Sequence, residues 1–540
     1  MPSVSDFLIE RLENIGLKHV FGVPGDYVLN FYKKLSLNNK IKLVNCTDES
    51  HAGFAASSYA RASGIGCVCT TYNVGTFKTT NSIAASYAER CPVVVISGSP
   101  GLKERSDGLL LSHMVRSFEC QKNVFDNLTC ASVVLDDPTT AGYKIDAALA
   151  ALQHHKQPIY IELPSDIADK IISYDVYRQG TPSSPKSDQQ NLEESLEEVS
   201  EWIRNSKNPV ILAGVQLSRY GFGNQLIKFA EKTNIPIATT LLAKSLVDER
   251  HQLFIGTYAG EASKEEVKNK IEESDCLLVL GVLSTDTTLR FMPSKFKKRN
   301  IVNCSVETLQ IKNHTYTDVQ FQDFCNFLFK KEFTKKSYEP SKRILEIYEA
   351  QPNRLITAER FFNKINSILN ENYAVITDVG DCLFGASDLL MHNKSTFIGS
   401  AFYSSMGGAI PGTLGVGFSK PDKRIITLVG DGAFQMSCTE LSTIVANKMN
   451  PIIFVLNNGG YTTERFVLEG SYNDINNWKY SEFVKVIGGN SHVVKNEVEL
   501  DQAINFSIKS KEMSLIEVCL DKNDTSLAFK RLIEGKSKRI

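Results

Sequence analysis

A chain of 540 residues, 42% of them hydrophobic, is long enough for about three separate cores. Its formal net charge of -1 disfavours nucleic acid or an acidic membrane surface as a partner. Twelve cysteines without a CxxC spacing speak against zinc and dithiol-redox patterns, and no apolar run reaches the roughly 18 residues that would span a bilayer.

The start, Met1-Pro2-Ser3-Val4-Ser5-Asp6, has no basic segment followed by an apolar stretch, so no secretory leader is expected. Thiols inside apolar runs such as Cys276-Leu277-Leu278-Val279-Leu280 fit a reducing compartment, and a cytoplasmic protein is expected. The first block, residues 1–178, opens with an amphipathic helix. Leu8, Leu12 and Ile15 share one face, and Gly16 caps its C-terminus. Strands follow at Lys18–Phe21, Lys42–Cys46, Gly66–Thr70, Pro92–Ile96 and Pro158–Glu162. His154-His155 reads as a surface pair at a helix end. The polar stretch 180–188 reads as a linker.

The second block, 190–335, has strands at Pro209–Ala213, Pro236–Thr240, Leu277–Gly281 and Ile301–Cys304. Its turns hold few convergent polar residues, so it reads as structural. A charged segment, Lys330 to Lys336, leads to the third block, 350–540. Strands there are Tyr373–Thr377, Arg424–Val429, Pro451–Leu456 and Ser514–Val518, with a helix over Thr439–Asn447. The fold class is therefore α/β, with three domains, each a mostly parallel sheet flanked by helices.

The chemistry concentrates in the third block. Gly430-Asp431-Gly432 closes one buried strand, and Asn457-Asn458 closes the next. A right-handed crossover brings both strand ends to one edge of the sheet. A carboxylate and an amide carbonyl side by side at such a crevice suit Mg2+ that also holds phosphate oxygens. Gly-Asp-Gly alone is more often a tight turn, so the weight lies on the pair.

Five motifs in order give a stronger signal. They are Phe21-Gly22-Val23-Pro24-Gly25-Asp26-Tyr27; Glu49 followed by Ala52-Gly53-Phe54-Ala55-Ala56; Asp378-Val379-Gly380-Asp381; Gly430-Asp431-Gly432-Ala433-Phe434-Gln435; and Asn457-Asn458-Gly459-Gly460-Tyr461-Thr462-Thr463-Glu464-Arg465. Together they resemble the thiamine diphosphate-dependent 2-oxo acid decarboxylases, over nearly the whole chain. The resemblance implies pyrimidine-binding, middle and diphosphate-binding domains, in that order. It implies Mg2+ held by Asp431, Asn458 and the carbonyl of Gly460. Gly432 and Ala433 would offer N–H groups to phosphate, with Asp381, Ser404, Tyr461 and Thr463 also around the cofactor and Met406 as an apolar wedge beneath it. Glu49 would hold the aminopyrimidine ring, and Asp26, His113 and Glu464 would handle protons. The resemblance further implies a small-molecule 2-oxo acid substrate and a dimer or tetramer whose active sites lie between subunits.

Two positions depart from the family pattern. Ser112, in Leu110-Leu111-Ser112-His113-Met114, replaces the first of two adjacent histidines, and a hydroxyl does not titrate near neutral pH. That keeps an acyloin-forming carboligase open as the alternative to a decarboxylase. Ser57 stands where relatives often carry an acid. Leu383, Thr463 and Val467 match substrate-pocket positions and are not aromatic. This leaves room for a branched, long-chain or aryl acid larger than pyruvate. A cofactor-binding scaffold without turnover is disfavoured by the intact Glu49, Asp26 and Glu464. A nicotinamide dehydrogenase is disfavoured because Gly412-Thr413-Leu414-Gly415-Val416-Gly417 has the wrong spacing for GxGxxG.

Overall fold

The computed structural model describes residues 2–172, 185–285, 301–340 and 347–537. The stretch 180–184 of the expected linker lies outside them. Its end is described: the Asp188 carboxylate caps the helix Gln189–Asn205 by accepting from the N–H of Asn191.

Three sheets carry the architecture. The first holds β1 (His19–Gly22), β2 (Lys42–Asn45), β3 (Gly66–Thr70), β4 (Val93–Ser99), β5 (Ala131–Val134) and β6 (Ile159–Pro164), all parallel, in the order β2-β1-β3-β4-β6-β5. The second holds β7 (Pro209–Ala213), β8 (Ile237–Thr240), β9 (Phe254–Tyr258), β10 (Cys276–Leu280), β11 (Ile301–Cys304), β12 (Leu309–Ile311) and β13 (His314–Tyr316). Its order is β13-β12-β11-β10-β7-β8-β9, antiparallel at β11/β12 and β12/β13. The third holds β14 (Tyr373–Thr377), β15 (Thr396–Gly399), β16 (Arg424–Gly430), β17 (Ile452–Asn457), β18 (Asn490–Val494) and β19 (Ser514–Cys519), in the order β15-β14-β16-β17-β19-β18. Ranked by chain order, the first and third sheets have the same strand arrangement. The first and third blocks therefore share one strand topology.

The predicted apolar runs are the central strands. Every residue of β3, β4, β6, β7, β10, β14 and β17 is buried, as expected for strands covered on both faces. Six strands were not anticipated: β5, β9, β12, β13, β15 and β18. All six are the outermost or next-to-outermost strand at one end of a sheet. An edge strand buries less of its surface, so its sequence carries a weaker apolar signal. The expected helix Thr439–Asn447 is a 3-10 turn, Cys438–Glu440, followed by the short helix Leu441–Ala446. A further helix, Asp431–Ser437, starts at the Gly-Asp-Gly motif itself.

By internal packing the chain forms two compact units. One gathers the first sheet with Tyr403–Ile425 and Ala433–Pro451; the other gathers the second sheet and most of the third. In the first unit the helix Glu49–Ser63 lies against the helix Ala409–Ser419. A Cβ at Gly415 would stand 2.1 Å from the carbonyl oxygen of Ala55, so only glycine permits this approach. The helix is also held by a buried ion pair, Arg61 to Glu89 at 2.6 Å. Burial works against the Arg61 cation, but Glu89 outweighs it and the guanidinium is held above its usual range. Ser57 lies here: its hydroxyl accepts from Arg61 Nε at 3.5 Å and from Ser86 Oγ at 2.9 Å. At this position the chain offers Arg61 a hydroxyl, and Glu89 supplies the charge.

The second unit holds a polar cluster that the sequence reading missed in a block taken as plain scaffold. Lys244 Nζ pairs with Glu249 Oε2 at 2.6 Å and donates to the Leu389 carbonyl at 2.5 Å. The Glu249 carboxylate accepts from the N–H groups of Ser245 and Met391. Both side chains are almost completely buried. Breaking such a pair costs about 3–5 kcal/mol, so this contact is a firm joint between the second sheet and the third.

Candidate active site

The third sheet builds a cradle at the carboxyl ends of β16 and β17. The two strands are parallel neighbours, with Gly430 opposite Leu456. Asp431 follows directly and is 2% exposed. One carboxylate oxygen accepts from the Gly432 N–H at 2.7 Å. The other accepts from Asn458, Gly459 and Gly460 N–H groups at 3.1, 2.7 and 3.2 Å. Burial pushes the Asp431 carboxyl up, and these four donors pull part of that back. Gly459 and Gly460, with φ of +76° and +148°, let the chain fold around the carboxylate. A Cβ at Gly432 would stand 2.6 Å from the Tyr461 ring, so this turn has no space for a side chain.

The side-chain oxygen of Asn458 is buried and has no hydrogen-bond partner. A buried acceptor left unmatched costs about 1–3 kcal/mol unless something occupies it. A buried carboxylate, an unmatched amide oxygen and a nearby glycine carbonyl form a hard-oxygen donor set, which fits Mg2+. Among the described residues no group of three or more His, Cys, Asp or Glu side chains forms a metal cage, so this mixed set is the candidate metal site.

The first sheet gathers a second group at its own carboxyl edge. Asp26 opens the 3-10 turn Asp26–Val28 after β1. Its Oδ1 accepts from Thr71 Oγ1 at 3.1 Å and lies 3.4 Å from His113 Nε2. His113 has φ +69°, an uncommon conformation for a histidine. Asn73 holds it there: its Nδ2 donates to the His113 carbonyl at 2.7 Å, and its own N–H donates to the buried Gln121 at 2.5 Å. Ser112 is exposed, and its carbonyl accepts from the Tyr27 hydroxyl at 3.4 Å.

Glu49 is the first residue of the helix Glu49–Ser63, whose cap is Asp48. Its Oε2 accepts from Lys78 Nζ at 3.0 Å, and its side chain is 14% exposed. Two residues on, His51 Nδ1 lies 3.0 Å from the buried Glu440, which also accepts from the N–H and hydroxyl of Thr47. Burial works to raise the Glu440 carboxyl, but the hydrogen bonds from His51 and Thr47 hold it below its usual range.

Comparison with known proteins agrees with this layout. Residues 2–125 match the thiamine pyrophosphate enzyme N-terminal TPP binding domain, 196–328 the central domain, and 378–518 the C-terminal TPP binding domain. A probable pyruvate decarboxylase of Schizosaccharomyces pombe is 31% identical, covering 97% of this chain and 94% of its own. The indole-3-pyruvate decarboxylase of Azospirillum brasilense is 29% identical over 99% of this chain and 98% of its own. The pyruvate decarboxylase of Candida glabrata is 30% identical over 95% and 94%. The chain belongs to the thiamine diphosphate-dependent 2-oxo acid decarboxylases, a family of carboxy-lyases.

The family residues expected from the sequence fall into separate surroundings. Ala433 follows Gly432 in the helix Asp431–Ser437 and is buried. Tyr461 packs on Gly432, Thr463 is half-buried, and Glu464 is exposed in the short helix Thr462–Arg465. Asp381 starts the helix Asp381–Ser387, but its carboxylate accepts from the N–H and hydroxyl of Ser526 at 2.8 and 2.5 Å. Burial pushes this carboxyl up to about 6 despite those bonds. Asp381 therefore also secures the C-terminal helix Leu527–Ser537. Ser404 is exposed, with φ +57°, and Met406 is half-buried. Leu383 is part of the third sheet's core, whereas Val467 is 75% exposed. His154 and His155 end the helix Pro138–His155 as expected, but they are half-buried, ring against ring, and burial lowers their proton affinity.

Proposed function

We propose that this decarboxylase releases CO2 from a 2-oxo acid and yields the aldehyde, using thiamine diphosphate and Mg2+. The observation that carries the proposal is the Asp431–Asn458–Gly460 cradle with its buried, unmatched amide oxygen. Asp431, Asn458 and the Gly460 carbonyl would hold the metal, and the start of the helix Asp431–Ser437, with Gly432 and Ala433, would face the phosphates. When bound, the cofactor supplies the nucleophilic carbon and the electron sink that loss of CO2 requires. Glu49 would hold the ring end. Asp26 and His113, 3.4 Å apart, form a carboxylate–imidazole pair able to accept and return a proton. Glu464 would join them in the complete site.

By family resemblance, Glu49 of one subunit serves the cofactor held by another, so we place the site at a dimer interface. Exposed apolar side chains support self-association. Leu109, Leu110 and Val115 flank the Ser112–His113 loop, and Phe466, Val467 and Leu468 follow Glu464. A cytoplasmic location fits twelve free thiols. Among the described residues no helix is long and apolar enough to cross a membrane. Leu383, Thr463 and Val467 suggest a branched, long-chain or aryl acid.

The test is CO2 release from a panel running from pyruvate to indolepyruvate, with thiamine diphosphate and Mg2+ added. We expect CO2 and aldehyde in equal amounts; no CO2 from any acid would end the proposal. Ser112 favours a second reading, carboligation, because a hydroxyl beside His113 cannot relay a proton as imidazole does. The Ser112 backbone is tied to Tyr27, so a new side chain leaves that bond in place. Ser112→His is expected to speed aldehyde release and lower any acyloin fraction. Turnover unchanged or lower in that variant would refute the explanation.

A further inference from the structure

The turn after β3 carries a lysine that the family reading does not assign. Lys78 lies in the 3-10 turn Thr76–Thr79, and its ammonium bridges two carboxylates: Asp48 Oδ2 at 2.6 Å and Glu49 Oε2 at 3.0 Å. The same turn closes on Glu49 from a second side. A Cβ at Gly75 would stand 3.1 Å from Glu49 Oε1 and 3.1 Å from the Thr71 carbonyl. Thr71 in turn donates to Asp26. One short segment, 71–78, therefore touches both acids of the first sheet's edge.

Asp48 and Glu49 are adjacent acids at a helix start. Their like charges would push the Glu49 side chain away from Asp48 without a shared cation. Asp48 takes the shorter bond, and burial is outweighed by the Lys78 and Ser50 hydrogen bonds, which hold its carboxyl near 2. The other polar groups around this helix start are His51 and Glu440, which are bound to each other, and the buried Tyr32 hydroxyl, which donates to the Cys69 carbonyl.

We propose that Lys78 is a positioning residue: it fixes Glu49 Oε2, with Asp48 as its counter-charge, so that Oε1 is presented to the ring of thiamine diphosphate. The inference rests on the function proposed above. Lys78 is about half exposed, so its loss should change the site more than the fold.

The test compares the purified enzyme with Lys78→Met, Lys78→Arg and Asp48→Asn. Calorimetric uptake of thiamine diphosphate with Mg2+ is measured alongside steady-state kinetics. We expect Lys78→Met to weaken uptake and to lower kcat by about three- to tenfold each, with KM for the 2-oxo acid unchanged. Lys78→Arg should restore most of both. Asp48→Asn keeps the helix cap and should give a smaller loss in the same direction. Uptake and kcat like the wild type in Lys78→Met, or tighter uptake, would overturn the role. If Lys78→Met proves unstable, Asp48→Asn without any change in uptake would do so. A wild-type protein that takes up no thiamine diphosphate would instead count against the proposed function.

Discussion

Asp431→Ala is expected to abolish Mg2+-dependent uptake of thiamine diphosphate and, with it, CO2 release. Two losses combine in this variant. The proposed metal would lose the one carboxylate of its ligand set, and four backbone N–H groups, from Gly432, Asn458, Gly459 and Gly460, lose their shared acceptor. Each stranded donor costs about 1–3 kcal/mol, so the loop after β17 would also loosen. That second effect makes Asp431→Ala a blunt test on its own. Asn458→Ala is the sharper companion. Its side-chain oxygen has no partner in the folded chain, so removing it should alter thermal stability little. Metal-dependent uptake should nevertheless weaken by about ten- to a hundredfold, the scale on which metal sites respond to lost polar support. Titration calorimetry with and without Mg2+ separates the two. Wild-type uptake by Asn458→Ala would show that the cradle does not hold the metal.

Glu49→Gln should lower kcat by about two to four orders of magnitude while leaving the fold intact. Glutamine keeps the size of the side chain and one oxygen, and Lys78 retains Asp48 as a partner. The change therefore removes charge at an almost fixed position. A carboxylate would favour a protonated ring nitrogen beside it far more than a neutral amide oxygen does, because its charge opposes that of the proton. Cofactor uptake should weaken several-fold, as in Lys78→Met, but persist, because Asp431, Asn458 and the Gly460 carbonyl would still hold the diphosphate end through the metal. CO2 release measured at saturating thiamine diphosphate decides the matter. Activity close to the wild type would remove Glu49 from the chemistry and leave it as a helix-start acid.

Of this protein, the sequence by itself determined the parts that depend on local pattern. Continuous apolar runs became central strands because a parallel strand covered on both faces must be apolar throughout. The pairing of Gly430-Asp431-Gly432 with Asn457-Asn458 could be placed at one edge because a right-handed crossover leaves few alternatives. In the structure Asp431 and the N–H of Asn458 lie 3.1 Å apart. Of the five ordered motifs, those at Gly430 and Asn457 lie at this edge, and that at Phe21 closes β1 of the first sheet. Tertiary structure alone decided what joins distant loops. The tie of Lys78 to Glu49, of Asn73 to His113 and of Glu440 to His51 depends on which turns lie side by side, and no periodicity encodes that. The same holds for Asp381, expected near the cofactor by resemblance, whose carboxylate is engaged by Ser526 145 residues away. Edge strands such as β5 and β18 emerged only in three dimensions. Half-covered strands form because a neighbour offers free hydrogen-bonding groups, and their own residues bear little mark of it.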